Sequence, residues 1–477
     1  MTVEPSMARN AKWVLLAALA LGWIMPGSAA ANPGGYSFTR IAALGDTAPG
    51  GGTFIDGFEP TMINSRGDVT FGTDLTVPDP GDEGIFLIRN GKVSPLVLPG
   101  ESVAGGGVLD SAFHSPFEVS INDNGDVALD YYAAPLPAVI TPFGLDAGIY
   151  RFSRTTNSLT PVIVPNSTAA PGGGTFVGST PHPSINNRGE IAFAGMLTDA
   201  DIDPGTPPGF DGLGVGVFLQ KDKSGSIVTV VRPGDPAPGG TTFDYAQNPW
   251  INDAGDIAFG AHLAGETCID FGNPQSVFVQ CAESIYVKRA ARGSIESIAH
   301  QGDPAPGGGT FDYAFGPILN SRGDIVFVGD LTPPPNLGSD LGIFLRSGGM
   351  SIPVARPGDA MPGGGHLLTV SFFFSTYGLN NRGDVSFLGA VDTDVNGDGL
   401  PDIGLFVWSH GVLHLVARTG TVIPGVGTVA NLNYPAFVGA PPADIYDSAA
   451  INDSGEVLFD AMMADGSVVL LIAKPQP

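Results

Sequence analysis

Seven times along this chain an Asn opens a four-residue turn that ends in Gly, followed at once by Asp or Glu and a short apolar run. The copies start at Asn64, Asn122, Asn186, Asn252, Asn320, Asn380 and Asn452, spaced 58, 64, 66, 68, 60 and 72 residues apart. An Asn side chain at the first turn position can bond the backbone two residues on, while Gly accepts positive φ at the last. The motif therefore reads as a hairpin connection, and a period of this size dictates a repeat architecture.

Each period holds four short β-type runs. In the fifth they are Gly309 to Leu319, Asp324 to Gly329, Gly342 to Arg346 and Ser351 to Arg356, rich in β-branched and aromatic residues and bounded by Gly, Pro, Asn and Asp. Nothing after the first 31 residues sustains a 3.6-residue period, so the chain is all-β. A second signature, Gly-Asp-x-Ala-Pro-Gly-Gly-Gly-Thr-Phe, recurs where one four-strand unit hands over to the next, at Gly45 to Phe54, Gly234 to Phe243 and Gly302 to Phe311, with four looser copies. Four-stranded sheets repeated about an axis make a β-propeller, here of seven blades. The C-terminal unit stops one strand short, and Tyr36 to Leu44 supplies a strand with no unit of its own. Ring closure by the N-terminal strand completing the last blade removes both unpaired edges.

The pattern Asn-x-x-Gly-x-x-x-Ala-Phe, clearest at Asn186 to Phe193 and Asn252 to Phe259, resembles the bacterial exported NxxGxxxAF tandem-repeat family. The resemblance implies an exported repeat protein and no established activity. Family members often carry a C-terminal sorting anchor, whereas this chain ends Ala473-Lys-Pro-Gln-Pro477, which points to free secretion or a periplasmic location.

Arg9 and Lys12 precede an apolar stretch from Trp13 to Met25 and a small-residue site at Ala29-Ala30-Ala31, which reads as a signal peptide over residues 1–31. The mature protein is then a single domain, 32–477, expected to be a monomer. No later stretch offers the roughly 18 to 20 uncharged apolar residues of a membrane span. Without residues 1–31 the chain carries 19 Lys and Arg against 46 Asp and Glu, a net of −27. Such a charge repels nucleic acid. It leaves an extracellular glycan or protein as the expected partner.

Cysteine usage and one loop carry the remaining specific chemistry. Cys268 and Cys281 are the two cysteines, separated by 12 residues inside one insertion, and are expected to form a local disulfide. Asp392-Thr-Asp-Val-Asn-Gly-Asp-Gly-Leu-Pro-Asp402 alternates oxygen-bearing side chains and Gly in the manner of a calcium loop. Its expected ligands are Asp394, Asn396, Asp398, the Leu400 carbonyl and Asp402, a calcium that stiffens the loop. It resembles the Asp-x-Asn-x-Asp-Gly loops of integrin-type propellers and dockerin repeats, although Leu405 stands where an EF-hand has Glu. Asp199, Asp201 and Asp203 form a poorer cluster, with Pro204 where Gly is wanted.

Arg-Gly-Asp occurs at Arg66, Arg322 and Arg382, but as a by-product of a hairpin that needs Gly and then an acid. The crossover Gly triplets lack the Lys-Ser/Thr and helix of a phosphate cradle. No linear catalytic motif is present, so no catalytic residue is assigned. Of the seven histidines, His182, beside the axis if the first strand is innermost, and His366 in a crossover are the two worth testing, each expected to be structural. If strands run outward in chain order, the Asn turns share one face and the long second-to-third-strand loops the other. The long-loop face is the expected binding surface. Its rival reading is a hydrolase or lyase site for an extracellular polymer, with carboxylates gathered around the channel.

Overall fold

The protein was analysed as a computed structural model, which describes residues 35–476 apart from 56, 59–60, 78–81, 104–106, 110–118, 132, 135–146, 181, 199–212, 222–224, 267, 271–278, 282, 333–340, 372–375 and 433–448. The signal-peptide segment and the Asp199, Asp201 and Asp203 cluster therefore lie outside the described residues.

Blade five shows the plan. Its strands, Thr310–Leu319, Ile325–Thr332, Leu341–Ser347 and Met350–Ala355, pair antiparallel in chain order. The other sheets repeat this order, giving seven four-stranded blades. First strands line a central cavity, so the strands run from the axis outward. Burial follows that geometry. The second strand Ile325-Val-Phe-Val328 is fully buried on both faces because a neighbouring blade covers each side, whereas the fourth strand begins exposed at Met350.

Aromatic triads make the inter-strand core. Phe311 from the crossover meets Phe344 edge-on at 5.0 Å and Phe327 at 5.8 Å, and the same trio recurs as Phe54, Phe71 and Phe86 and as Phe176, Phe193 and Phe218. Each fully buried ring contributes roughly 1.5–3 kcal/mol. Gly329 opposite Phe311 is what makes room, since a Cβ there would lie 2.7 Å from the ring. The crossovers that deliver these rings are pinned by their Asp: Asp303 accepts from the His300 amide, Asp235 from Arg232 and Asp359 from Arg356.

Ring closure is as the sequence requires. The last blade takes Gly427–Asn431, Ala450–Ile451, Val457–Met463 and Val468–Pro475 from one end of the chain, and Tyr36–Ala43 from the other. Tyr36 to Ala43 pair antiparallel with Pro475 to Val469, and Phe38 packs on Phe459 at 6.1 Å.

Candidate functional site

The seven Asn turns meet at one end of the axis, and their side chains do more than close hairpins. Asn64 Oδ1 accepts the amides of Arg66 (3.0 Å) and Asp68 (2.9 Å). Its Nδ2 is thereby free to reach the next blade, donating to the Asn122 carbonyl at 3.0 Å. The same bond runs from Asn122 to Asn186, Asn186 to Asn252, Asn252 to Asn320, Asn320 to Asn380, Asn380 to Asn452 and back from Asn452 to Asn64. All seven amides are buried, where a satisfied network polarises along its length and an unmade bond costs about 1–3 kcal/mol.

A second circle lies over the first. Ser65, Asp123, Asn187 and Ser321 donate backbone amides to Asp123, Asn187, Asp253 and Asn381 respectively at 2.7–2.9 Å. The two serines are too short to continue the pattern and donate Oγ backwards, Ser65 to Asp453 and Ser321 to Asp253. These circles frame a cavity of about 150 Å³ whose deeper wall includes Met62, Ile121, Trp250 and Tyr377. Among the described residues no three His, Cys, Asp or Glu side chains come together in a metal-binding group, here or elsewhere.

The other end of the inner strands carries titratable chemistry. In blade four the first strand Phe243–Ile251 places Tyr245 and Gln247 on one face, the second strand Ile257–Leu263 places Gly260 and His262 beside them, and Glu283 stands just before the third strand, Ser284–Lys288. Gln247 Nε2 donates to Glu283 Oε1, and Tyr245 OH donates to the same oxygen at 3.4 Å. Glu283 Oε2 is buried without a hydrogen-bond partner among the described residues. Gly260 leaves the space that oxygen occupies, because a Cβ there would approach it to 2.7 Å. The Glu283 carbonyl accepts from Ala314 of blade five at 2.8 Å, which fixes the residue between two blades.

Burial pushes the Glu283 carboxyl from 4.5 up to about 7, against the bonds from Gln247 and Tyr245 and the fields of His262 and His182, which pull it down. Burial, reinforced by Glu283, raises the Tyr245 phenol well above its ordinary value, so it stays a proton donor. Behind them Asp244 holds His262 Nδ1 at 3.1 Å, and the His262 ring stacks on Tyr245 at 5.6 Å. Such a set can hold or release a proton near neutral pH and can bind hydroxyl groups. His182 belongs to this site, in a break of blade three's inner strand at φ 79°.

Glu283 and Tyr245 are the residues that sequence reasoning missed. A signal was available: the residue before the Gly-Ile-Phe type run of the third strand (Ser-Ile-Tyr in blade four) is Ala147, Val215, Leu341 or Ile403 in other blades, and a carboxylate there is out of character. Blade one has Glu83 at that place, buried, its carbonyl accepting from Tyr131 OH at 2.8 Å.

The residues singled out from sequence are scattered. Asp394 accepts three loop amides, from Gly397 (2.7 Å), Asp398 (3.1 Å) and Gly399 (3.0 Å), and Asn396 donates to Asp398 at 2.8 Å. Asp402 is buried and turned back to Thr393 Oγ1 at 2.6 Å and to the Val395 amide. His366 contacts Asp392 at 3.1 Å at the edge of this loop, far in sequence from Glu283. Among the described side chains there is no disulfide. The backbone sets Cys268 directly opposite Cys281 in a two-stranded ladder, and their side chains lie outside the described residues. The acids of the Arg-Gly-Asp turns are buried, not presented. In Asp384, burial raises the carboxyl pKa, but bonds from Ser409, Asn380 and Arg382 outweigh it and hold the group below its ordinary value. No helix is long and apolar enough to cross a membrane among the described residues.

No curated protein matches the chain. Solved structures resemble it in fold. An oligogalacturonate lyase in complex with manganese is 12% identical, with 93% of this chain and 97% of that one covered and a TM-score of 0.44. A puromycin-hydrolyzing peptidase of Mycobacterium tuberculosis is 12% identical, with 92% and 55% covered and a TM-score of 0.47. An ulvan lyase of family PL25 is 11% identical, with 90% and 95% covered and a TM-score of 0.43. A family of unknown function, DUF7453, matches residues 28–475, and the chain belongs to that family.

Proposed function

We propose that this is an exported, monomeric propeller that binds an extracellular polymer at the long-loop end of its inner strands, with Tyr245, Gln247, Glu283 and His182 at the centre. The observation that carries the reading is Glu283: a carboxyl with one buried oxygen that has no hydrogen-bond partner among the described residues, beside a phenol and an amide, is a ready acceptor for a hydroxyl or ammonium group. Rigid inner strands surrounded by variable loops are where such a scaffold gathers a ligand. The expected result on an array of neutral and cationic glycans is saturable binding by residues 32–477, lost or roughly tenfold weaker in Glu283→Gln and Tyr245→Phe. Equal binding by wild type and both variants would exclude this cluster.

Glu283 also favours a second reading, acid–base cleavage of that polymer, because its carboxyl changes charge near pH 7. New reducing ends or unsaturated sugars formed by wild type and not by Glu283→Gln would establish it. Binding without turnover on every bound glycan would remove it.

Three finer readings accompany the proposal. The repeats are of the NxxGxxxAF kind. Asp394, Asn396, Asp398, the Leu400 carbonyl and Asp402 hold a structural calcium. Cys268 and Cys281 form a cross-strand disulfide, for which their directly opposed backbone positions are suitable.

A further inference from the structure

A net charge of −27 argues against anionic ligands on average, but the charge is not spread evenly. Of the described lysines and arginines after residue 35, all but Arg40, Arg232, Arg356 and Arg418 sit in the Asn turns, in the third-to-fourth-strand hairpins or at the strand ends beside them. The turn face is thus where most of the cations gather, among the turn acids Asp68, Asp126, Glu190, Asp256, Asp324, Asp384 and Glu456. On it, between the turns of blades one, two and three, lies a cleft of about 350 Å³ walled by Arg66, Arg154, Arg188, Asn124 and Thr155.

Within this cleft Arg66 is the exception to a rule. Each other turn arginine pairs with the acid two residues on: Arg188 with Glu190 at 2.5 Å, Arg322 with Asp324 at 3.3 Å, Arg382 with Asp384 at 2.8 Å. Arg66 does not: Arg89 from the neighbouring hairpin holds Asp68 instead, through Nε (3.1 Å) and Nη2 (2.9 Å). Arg89 reaches this position across Gly125, where a Cβ would stand 2.4 Å from its Nη2. The Arg66 guanidinium has no ion-pair partner among the described residues. The Arg154 amide donates to Asp126 Oδ1 at 2.9 Å, and its guanidinium makes one long bond, Nη1 to the Asn124 carbonyl at 3.3 Å. Of the carboxylates nearby, Asp68 and Asp126 are buried, Glu190 is taken by Arg188, and half-buried Asp123 accepts from the Ser65 amide and Asn187 Nδ2, whereas Arg66, Arg154 and Arg188 are exposed at the rim.

We infer that this cleft binds an oxyanion, a carboxylate or sulfate group, with Arg66 as its principal contact and Arg154 and Arg188 beside it. Guanidinium forks match such groups geometrically and form hydrogen bonds that exceed those of neutral donors. The site is independent of the Glu283 cluster, on the opposite face.

Calorimetric titration of residues 32–477 with inorganic sulfate and with glucuronate tests it. Saturable binding of either probe is expected, weakening with added salt. Arg66→Ala should bind roughly tenfold more weakly or not at all. Arg322→Ala, the equivalent but paired turn residue, and Glu283→Gln should bind as wild type does. Sulfate alone binding points to a sulfate ester or free sulfate, glucuronate alone to a uronate; both are the inferred chemistry. Absence of saturable binding, equal affinity in Arg66→Ala with an unchanged melting temperature, or equal loss in Arg322→Ala would overturn it.

Discussion

Two kinds of polar residue with buried side-chain atoms set the character of this molecule, and they behave oppositely. The turn asparagines are fully engaged, each accepting the amide of its turn acid and donating to the next blade, and five of them donating to that acid as well, so they carry order. Glu283 is half engaged, so it carries reactivity. The consequence is measurable as a pH dependence. The folded carboxyl titrates near 7 and the unfolded one near 4.5, so ionising it in place opposes folding. Its contribution is absent at pH 4, grows unfavourable as pH climbs from 4.5 to about 7, and is constant above. Glu283→Gln removes this penalty. The variant is expected to melt with wild type at pH 4 and above it at pH 8, by up to about 3 kcal/mol. A variant that is less stable than wild type at pH 8 would mean that Glu283 is ionised and paired.

Among the elements, the turns, the crossovers and the last loop of blade six differ in how far the sequence revealed them. Turn chemistry was legible because Asn and Gly each act within four residues. The crossovers were legible as punctuation, but their Phe was not, since its partners Phe327 and Phe344 arrive from other strands. The Glu283 site was hidden for the same reason: Tyr245 and Glu283 are 38 residues apart and meet only through the register of three strands. The loop 392–402 is a local element, and its function is testable locally. Asp394 already gathers three amides around a turn that leaves Asp398 and Asn396 exposed. Calcium is expected to raise the melting temperature of wild type and leave that of Asp398→Ala unmoved. An equal shift in both, or none in wild type, rejects the ion, and the turned-back Asp402 would explain why.

At the scale of the whole molecule, the ring has two locks of different kinds. Seven Asn bonds close it at the axis, and one antiparallel strand pair closes it at the rim. Deleting residues 32–43 leaves the inner circle intact but exposes the Val468–Pro475 edge and the apolar face around Phe459 and Leu471. The truncated chain is expected to melt at lower temperature over a broader transition and to associate in size-exclusion chromatography. A monomer with unchanged melting would show that the rim strand is dispensable. The blade count and this closure were visible in the sequence because both are matters of counting strands; the gathering of Lys and Arg at the turn end was not, because it depends on which end of each strand a charge occupies.

The rim pair has a mechanical meaning as well. Tyr36 lies opposite Pro475, and the Gln476 amide donates to the Gly35 carbonyl at 2.6 Å, so both ends of the pair leave the ring side by side. A pull applied through residues 35 and 476 therefore loads one rung at a time, from Tyr36 towards Ala43, and never shears the ladder as a whole. A ring that resists heat through many simultaneous contacts would open under tension by unzipping, at a force set by a single hydrogen-bonded pair.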